Sequence, residues 1–394
     1  MSPSTRAAAD PPRTKVGAPA PSLKASLGAT HWPAHAFALG PTAKPPYIGR
    51  LSTETTLTEQ SLARQANDLA RDLTRADPKV YWLDLSVTAL VTWLSLLIAT
   101  TAASTGWALA AAVVCVLSLY RGISFIHELT HLRRDDVPGF HFAWNLLIGV
   151  PFLTPSLLYE GVHILHHAKD RYGTARDPEY HPLARRPPHE LLAFVGIAFL
   201  APVGTVLRFA VLAPLSFIFP PLRRFVIAKT SGMVINPGFS REDFERARTA
   251  PWLAQEIASW LWSWTLIALA IAGILPWRAL AIAAAIFAVM TFLNQLRTAV
   301  AHYWENDGEQ MAVLDQFRDT VNVPPPAMLP FLWAPVGLRY HALHHLMPRL
   351  PYHNLGIAHR RLVEALPADH VYREVEQREL FPALGRLIGR MRRH

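Results

Sequence analysis

Apolar residues along this chain are gathered into long runs. Residues 83–103 and 106–124 are nearly free of charge, and so are 255–275 and 278–296. Each run supplies roughly the 20 residues that a helix needs to cross a bilayer core of about 30 Å. The pattern predicts two pairs of transmembrane helices, one joined by the uncharged link 101–105 and the other by a tight turn around Pro276. Trp82, Trp107, Trp252 and Trp277 fall near the run ends, where indole rings settle at the membrane interface. Two further apolar stretches, 142–158 and 191–221, are expected to be interfacial or re-entrant, the second being interrupted by Pro202, Arg208 and Pro214. Residues 54–76 space Leu and Ala among charges as a short amphipathic helix does. Residues 1–50 are rich in Ala and Pro and hold no apolar run, so a disordered tail is expected there. Residues 51–394 then form a single all-α integral membrane domain, with a helical cap outside the bilayer.

Composition narrows this further. Hydrophobic residues make up 51% of the chain and charged ones 17%, below the roughly 25% charged of ordinary soluble domains. One cysteine, Cys115, excludes a disulfide framework and a thiolate metal site. The net charge of +9 is lopsided, because Arg278 is the sole Lys or Arg in the two inter-span links. The positive-inside rule therefore places most of the polar chain in the cytoplasm, with a bacterial inner membrane as the expected location. No basic patch interleaved with aromatics accompanies this charge, so nucleic acid is not an expected partner. The C-terminal segment 356–394, with Arg386, Arg390, Arg392 and Arg393, reads as a cytoplasmic amphipathic tail against anionic lipid.

The histidines carry the chemistry. His127 and His131 in HELTH stand at i and i+4, on one face of a helix leaving the second span. His163, His166 and His167 in HILHH stand at i, i+3 and i+4, and His341, His344 and His345 in HALHH repeat that spacing. Eight imidazoles are too many for one ion and suit two. A shared site requires an even number of crossings between the second and third boxes. His302 lies just past the fourth span, at the depth where His127 leaves the second, and is a further candidate ligand. Glu128, Asp135, Asp136, Glu160, Asp170, Glu305 and Asp307 are candidates to orient the imidazoles from behind. His353 is expected to be structural, and His141, His181, His189 and His359 lack partner spacing. HELTH also fits the HExxH of zinc proteases, in which the glutamate activates water. An intramembrane zinc protease is thus an outlying alternative, but it leaves the other two boxes without a task.

The order HxxxH, HxxHH, HxxHH, with spans before the first and third boxes, resembles the membrane fatty-acid desaturase superfamily over about residues 80–380. The segments HHAKDRYGTARDPEY and RYHALHHLMPRLPYHN are similar to its bacterial acyl-chain members, Met347 replacing the usual Phe after the third box. The resemblance implies a cytosol-facing non-haem centre of two iron ions, with O2 as co-substrate and His302 as a ninth ligand. Some acyl-CoA members carry an Asn four residues before that histidine, where this chain has Thr298. Front-end members have Gln where this chain has His341, and a fused cytochrome b5 domain with HPGG, which is missing here. Electrons must then come from another protein, of ferredoxin or cytochrome b5 type, served by a reductase.

The implied reaction is O2-dependent desaturation, removing two hydrogens from adjacent methylenes of a saturated acyl chain carried by a lipid, CoA or carrier protein. The runner-up is hydroxylation or ketolation of lipids, alkanes or carotenoids on the same scaffold. A metal transporter or sensor would need polar residues along the spans, which hold almost none away from their ends.

Overall fold

The computed structural model describes residues 53–327, 329–377 and 379–393. The tail expected at 1–50 lies outside the described residues. Among these the chain is helical, with isolated bridges and no strand.

Helix α1, Thr53–Ala70, is followed by α2, Pro78–Thr101, and α3, Thr105–His131. Asp77 starts α2 by accepting from Lys79 N at 2.9 Å, with Pro78 in the first helical position, where its missing N–H costs nothing. Ser104 caps α3. The two helices pack through small residues, Ala89, Ala99 and Ala111 among them, and the buried Cys115. Large apolar side chains on their outer faces stay exposed: Leu83 is 68%, Val113 61% and Trp107 72% exposed. Exposure on that scale suits lipid contact and would be a liability in water.

A long helix, α4, runs from Pro188 to Ile218, followed by α5, Ala250–Ile271, and α6, Trp277–Ala299. Four helices are long and apolar enough to cross a membrane: α2, α3, α4 and α6. This differs from expectation at two places. Pro202 and Pro214 do not end α4, which absorbs its breaks in a 3-10 turn at Ile197–Leu200 and a π turn at Leu207–Leu212. Helix α5, expected as a span, is not among the four found in the described residues; its Glu256, Ser259 and Ser263 are buried against protein.

Hydrogen bonds fix where α4 lies. Gln295, near the end of α6, donates to Phe194 O at 3.0 Å. Arg208, buried in α4, donates to Glu256 near the start of α5 at 2.7 Å, and Arg223 donates to its other oxygen at 2.7 Å. Both anchors sit at the ends of α5 and α6 nearest the histidines. The remainder forms a cap. There α1, the helix Val313–Arg318, the third-box helix His341–Leu346 and α7, Tyr352–Ala365, share a core that includes Leu62, Phe317, Leu343 and Tyr372. Helix α8, Leu380–Met391, turns its buried Leu387 and Met391 toward Tyr180 and Trp304.

Candidate metal centre

Three helix ends and one loop deliver the histidines. The last turn of α3 presents His127 and His131, the short helix His163–His166 carries the second box, and His341–Leu346 carries the third. His302 comes from the loop after α6. That loop is tied down by Tyr303 N to Asp319 O at 2.8 Å and Val321 N to Ala301 O at 3.0 Å. Trp304 follows with φ 60°, an uncommon setting for a bulky residue. It is held there by full burial and by its indole N–H donating to Ala299 O at 3.0 Å.

All nine imidazoles meet, and they sort into two groups. His127, His131, His163, His167 and His344 form one; His166, His302, His341 and His345 form the other. In each group the ligand nitrogens lie within 4.8 Å of one another. Each HxxHH box serves both groups: His163 and His167 go to the first while His166 goes to the second, and His341 and His345 go to the second while His344 goes to the first. On a helix, i+3 and i+4 flank i on opposite sides of one face, so one short turn can serve two neighbouring ions.

The donor set can be tested for fit. His167 Nε2 lies 2.9 Å from His163 Nε2 and 3.1 Å from His344 Nε2. In the other group His341 Nε2 lies 3.0 Å from His302 Nε2 and 3.2 Å from His345 Nε2. One N–H can satisfy one such neighbour, not two. Two nitrogens each about 2.1 Å from an ion and at right angles are about 3.0 Å apart, which is the spacing seen. His127 Nε2 and His131 Nε2 are buried without any partner, as nitrogens reserved for an ion would be. The residues present fit two metal ions.

Burial disfavours the charged form of most of these imidazoles, and three are held from behind. Burial keeps His163, His167, His341, His344 and His345 well below the ordinary imidazole value, leaving lone pairs available near neutral pH. His163 Nδ1 meets Glu179 Oε1 at 2.9 Å, and the Tyr159 hydroxyl donates to Glu179 Oε2 at 2.6 Å. His166 Nδ1 meets both oxygens of Asp177 at 3.0 Å. Burial acts to lower His166 too, but Asp177 and Glu179 leave it raised on balance. His302 Nδ1 meets the Tyr172 hydroxyl at 2.8 Å, which in turn donates to Asp319 at 2.8 Å. In these three, with Nδ1 engaged behind, Nε2 is left for the group. Burial pushes Glu179 and Asp319 each up to about 7.

A cavity of about 470 Å³ opens beside the two groups, reaching His127, His163, His166, His302 and His341. Part of its lining is apolar, with Ile123, Ile126, Leu200 and Met233. The wall from α6 is polar.

The model of the fatty acid desaturase family matches residues 104–376, more than half of the chain. The chain belongs to the fatty acid desaturase family. A ceramide hydroxylase from Caulobacter vibrioides (strain NA1000 / CB15N) is 55% identical over 337 residues, which cover 86% of this chain and 96% of that protein. This chain is therefore an oxidoreductase of lipid metabolism in a family of non-haem diiron enzymes, and its apolar helices suit a multi-pass membrane protein. Of the two outcomes left open by the sequence, the relative's activity matches hydroxylation, the runner-up, better than desaturation.

The carboxylates nominated from sequence go elsewhere. Glu128 accepts from the Tyr81 hydroxyl and holds α3 against α2. Asp135 is exposed, and Asp136 pairs with Arg133 at 2.8 Å. Glu160 accepts from Ser156 at 2.7 Å and pairs with Arg246 at 3.2 Å. Asp170 faces Arg176 at 3.6 Å, Asp307 faces Arg185 at 3.5 Å, and Glu305 pairs with Arg390. The groups that orient the ligands, Asp177, Glu179, Asp319, Tyr159 and Tyr172, were not nominated. Asp177 and Glu179 lie in the DPEY of the segment that carried the family resemblance, so a signal for them existed. Their placement rests on a turn at Gly173, whose φ of 71° and whose space against Asn306 and Met311 exclude a Cβ, and whose N–H donates to Asp177 at 2.9 Å. His353 accepts from Asp77 N at 3.2 Å and so is structural. His141, His181 and His359 bond to Leu129 O, Glu190 and Tyr372, respectively.

Proposed function

We propose that this protein is an O2-dependent lipid hydroxylase acting on ceramide or a closely similar N-acyl lipid. The observation that carries this reading is the 55% identity to a ceramide hydroxylase across 96% of that protein. The nine histidines, from His127 to His345, hold two irons, which when bound supply the O2 chemistry that breaks an unactivated C–H bond. The protein's own groups do the rest. Asp177, Glu179 and the Tyr172–Asp319 pair keep His166, His163 and His302, respectively, in the tautomer that presents Nε2. The apolar lining excludes water and aligns the chain beside the centre. One oxygen atom of O2 enters the lipid and the other leaves as water, with two electrons and two protons supplied from outside. The electrons would come from an external donor of ferredoxin or cytochrome b5 type, served by a reductase.

The topology follows from the same reading. Three long helices separate the second box from the third, yet the boxes share one site, so an even number of them crosses. The anchoring of α4 to the histidine-proximal ends of α5 and α6 supports its lying in the interface while α5 and α6 form the crossing hairpin. The basic residues outside the spans then place the site in the cytoplasm.

Incubation of the purified, iron-loaded protein with ceramide, O2 and a reducing system tests this. The expected product is one oxygen atom heavier than the substrate; a product two hydrogens lighter would return the assignment to desaturation.

A further inference from the structure

Helix α6 is apolar over most of its length, but its last turns are not. Thr291, Asn294, Gln295 and Thr298 stand at i, i+3, i+4 and i+7, one face of the helix, and Arg297 lies beside them. All five line the cavity at the histidines. Polar and charged groups at membrane depth are costly and mark functional surfaces. Two are occupied by the fold: Gln295 donates to Phe194 O at 3.0 Å and Thr291 to Phe287 O at 2.8 Å. Arg297 is different. One of its terminal nitrogens donates to Asn294 Oδ1 at 3.2 Å and Tyr120 lies beside it, but its Nε is buried with no hydrogen-bond partner. It lines the same cavity as His302 and His341, which places it beside the centre. A buried donor without a partner is costly, so this Nε is poised for a ligand acceptor.

A saturated hydrocarbon chain offers no acceptor. An enzyme that attacked mid-chain carbons would have no use for a polar face beside the centre. We propose that Arg297, with Asn294 and Thr298, binds the carbonyl at the polar linkage of the lipid, so that the carbon hydroxylated lies within a few bonds of that linkage. Arg297 is thus a positioning residue: it donates to the acyl carbonyl and takes no part in breaking the C–H bond. This deepens the hydroxylase reading and rests on it for the reaction. The same carbonyl chemistry is offered by an amide-linked acyl chain and by a free fatty acid, and a comparison of the two substrates separates these sources.

The test uses the full-length, iron-loaded protein with ceramide and with free fatty acid as probes. It reads equilibrium binding and, by fragmentation mass spectrometry, the position of the new hydroxyl. Wild type should hydroxylate near the amide. Arg297→Leu should bind ceramide at least about tenfold more weakly at unchanged iron content, with Arg297→Lys intermediate. Should Arg297→Leu lose iron or fail to fold, Asn294→Leu and Thr298→Val carry the test, each with an expected several-fold loss of binding. A hydroxyl placed mid-chain by wild type would overturn the proposal. So would ceramide binding indifferent to all of these variants. Binding of free fatty acid but not ceramide, with the same dependence on Arg297, would overturn the ceramide assignment and uphold the polar wall.

Discussion

The two histidine groups are unequal, and the inequality shows how the centre is built. The first has five imidazoles, two of them from the rigid end of α3 and the others from the boxes. The second has four, and one of these, His302, depends on a loop pinned by backbone bonds to residues 319–321. The first group has one imidazole more and support behind one of its five, His163, from Glu179 and Tyr159. The second has no extra imidazole and the heavier support, Asp177 behind His166 and Tyr172 with Asp319 behind His302. Where ligand number is low, the surrounding hydrogen bonds do the positioning.

This contrast can be broken directly. His302→Ala should abolish metal binding at the second group and lower turnover by more than about 100-fold, beyond the range typical of supporting residues. His131→Ala should cost less iron, because four imidazoles remain. Equal losses in metal analysis would remove the distinction. Asp177→Asn comes next, with an expected loss of about 10–100-fold in iron affinity, confined to the second group. Tyr172→Phe should have a smaller effect, about tenfold, since His302 keeps its backbone placement and loses only the hydroxyl behind it. Asp170→Asn and Glu305→Gln should leave iron content unaltered and stability within about 0.5 kcal/mol by thermal unfolding. A loss of iron in either would restore these surface carboxylates to the site.

The order of these effects also marks what the sequence made legible. Helical spacing is local, so His127 through His345 could be gathered from three short motifs, and His302 from its depth at the end of a span. The division into two groups was not legible, because it depends on how three helix ends converge. Asp135 and Glu160 looked suitable by proximity in sequence, yet Arg134 and Arg246 draw Glu160 outward while Asp135 stays in solvent. Asp319 lies outside every box and is brought to His302 by a backbone pairing between their segments, with the Tyr172 hydroxyl bonded to both. The spans show the same limit. Hydropathy finds α2, α3 and α6, but α4 is as apolar as a span while tethered at both ends, and α5 hides Glu256 from lipid against two arginines.

The most direct measurement of the central claim is metal content of the detergent-purified protein, alongside the His302→Ala and His344→Ala variants, one from each group. The account predicts about two irons per chain in the wild type and a loss from a different group in each variant. One zinc per chain, indifferent to both substitutions and lost only with His127 and His131, would contradict it and return HELTH to the protease reading.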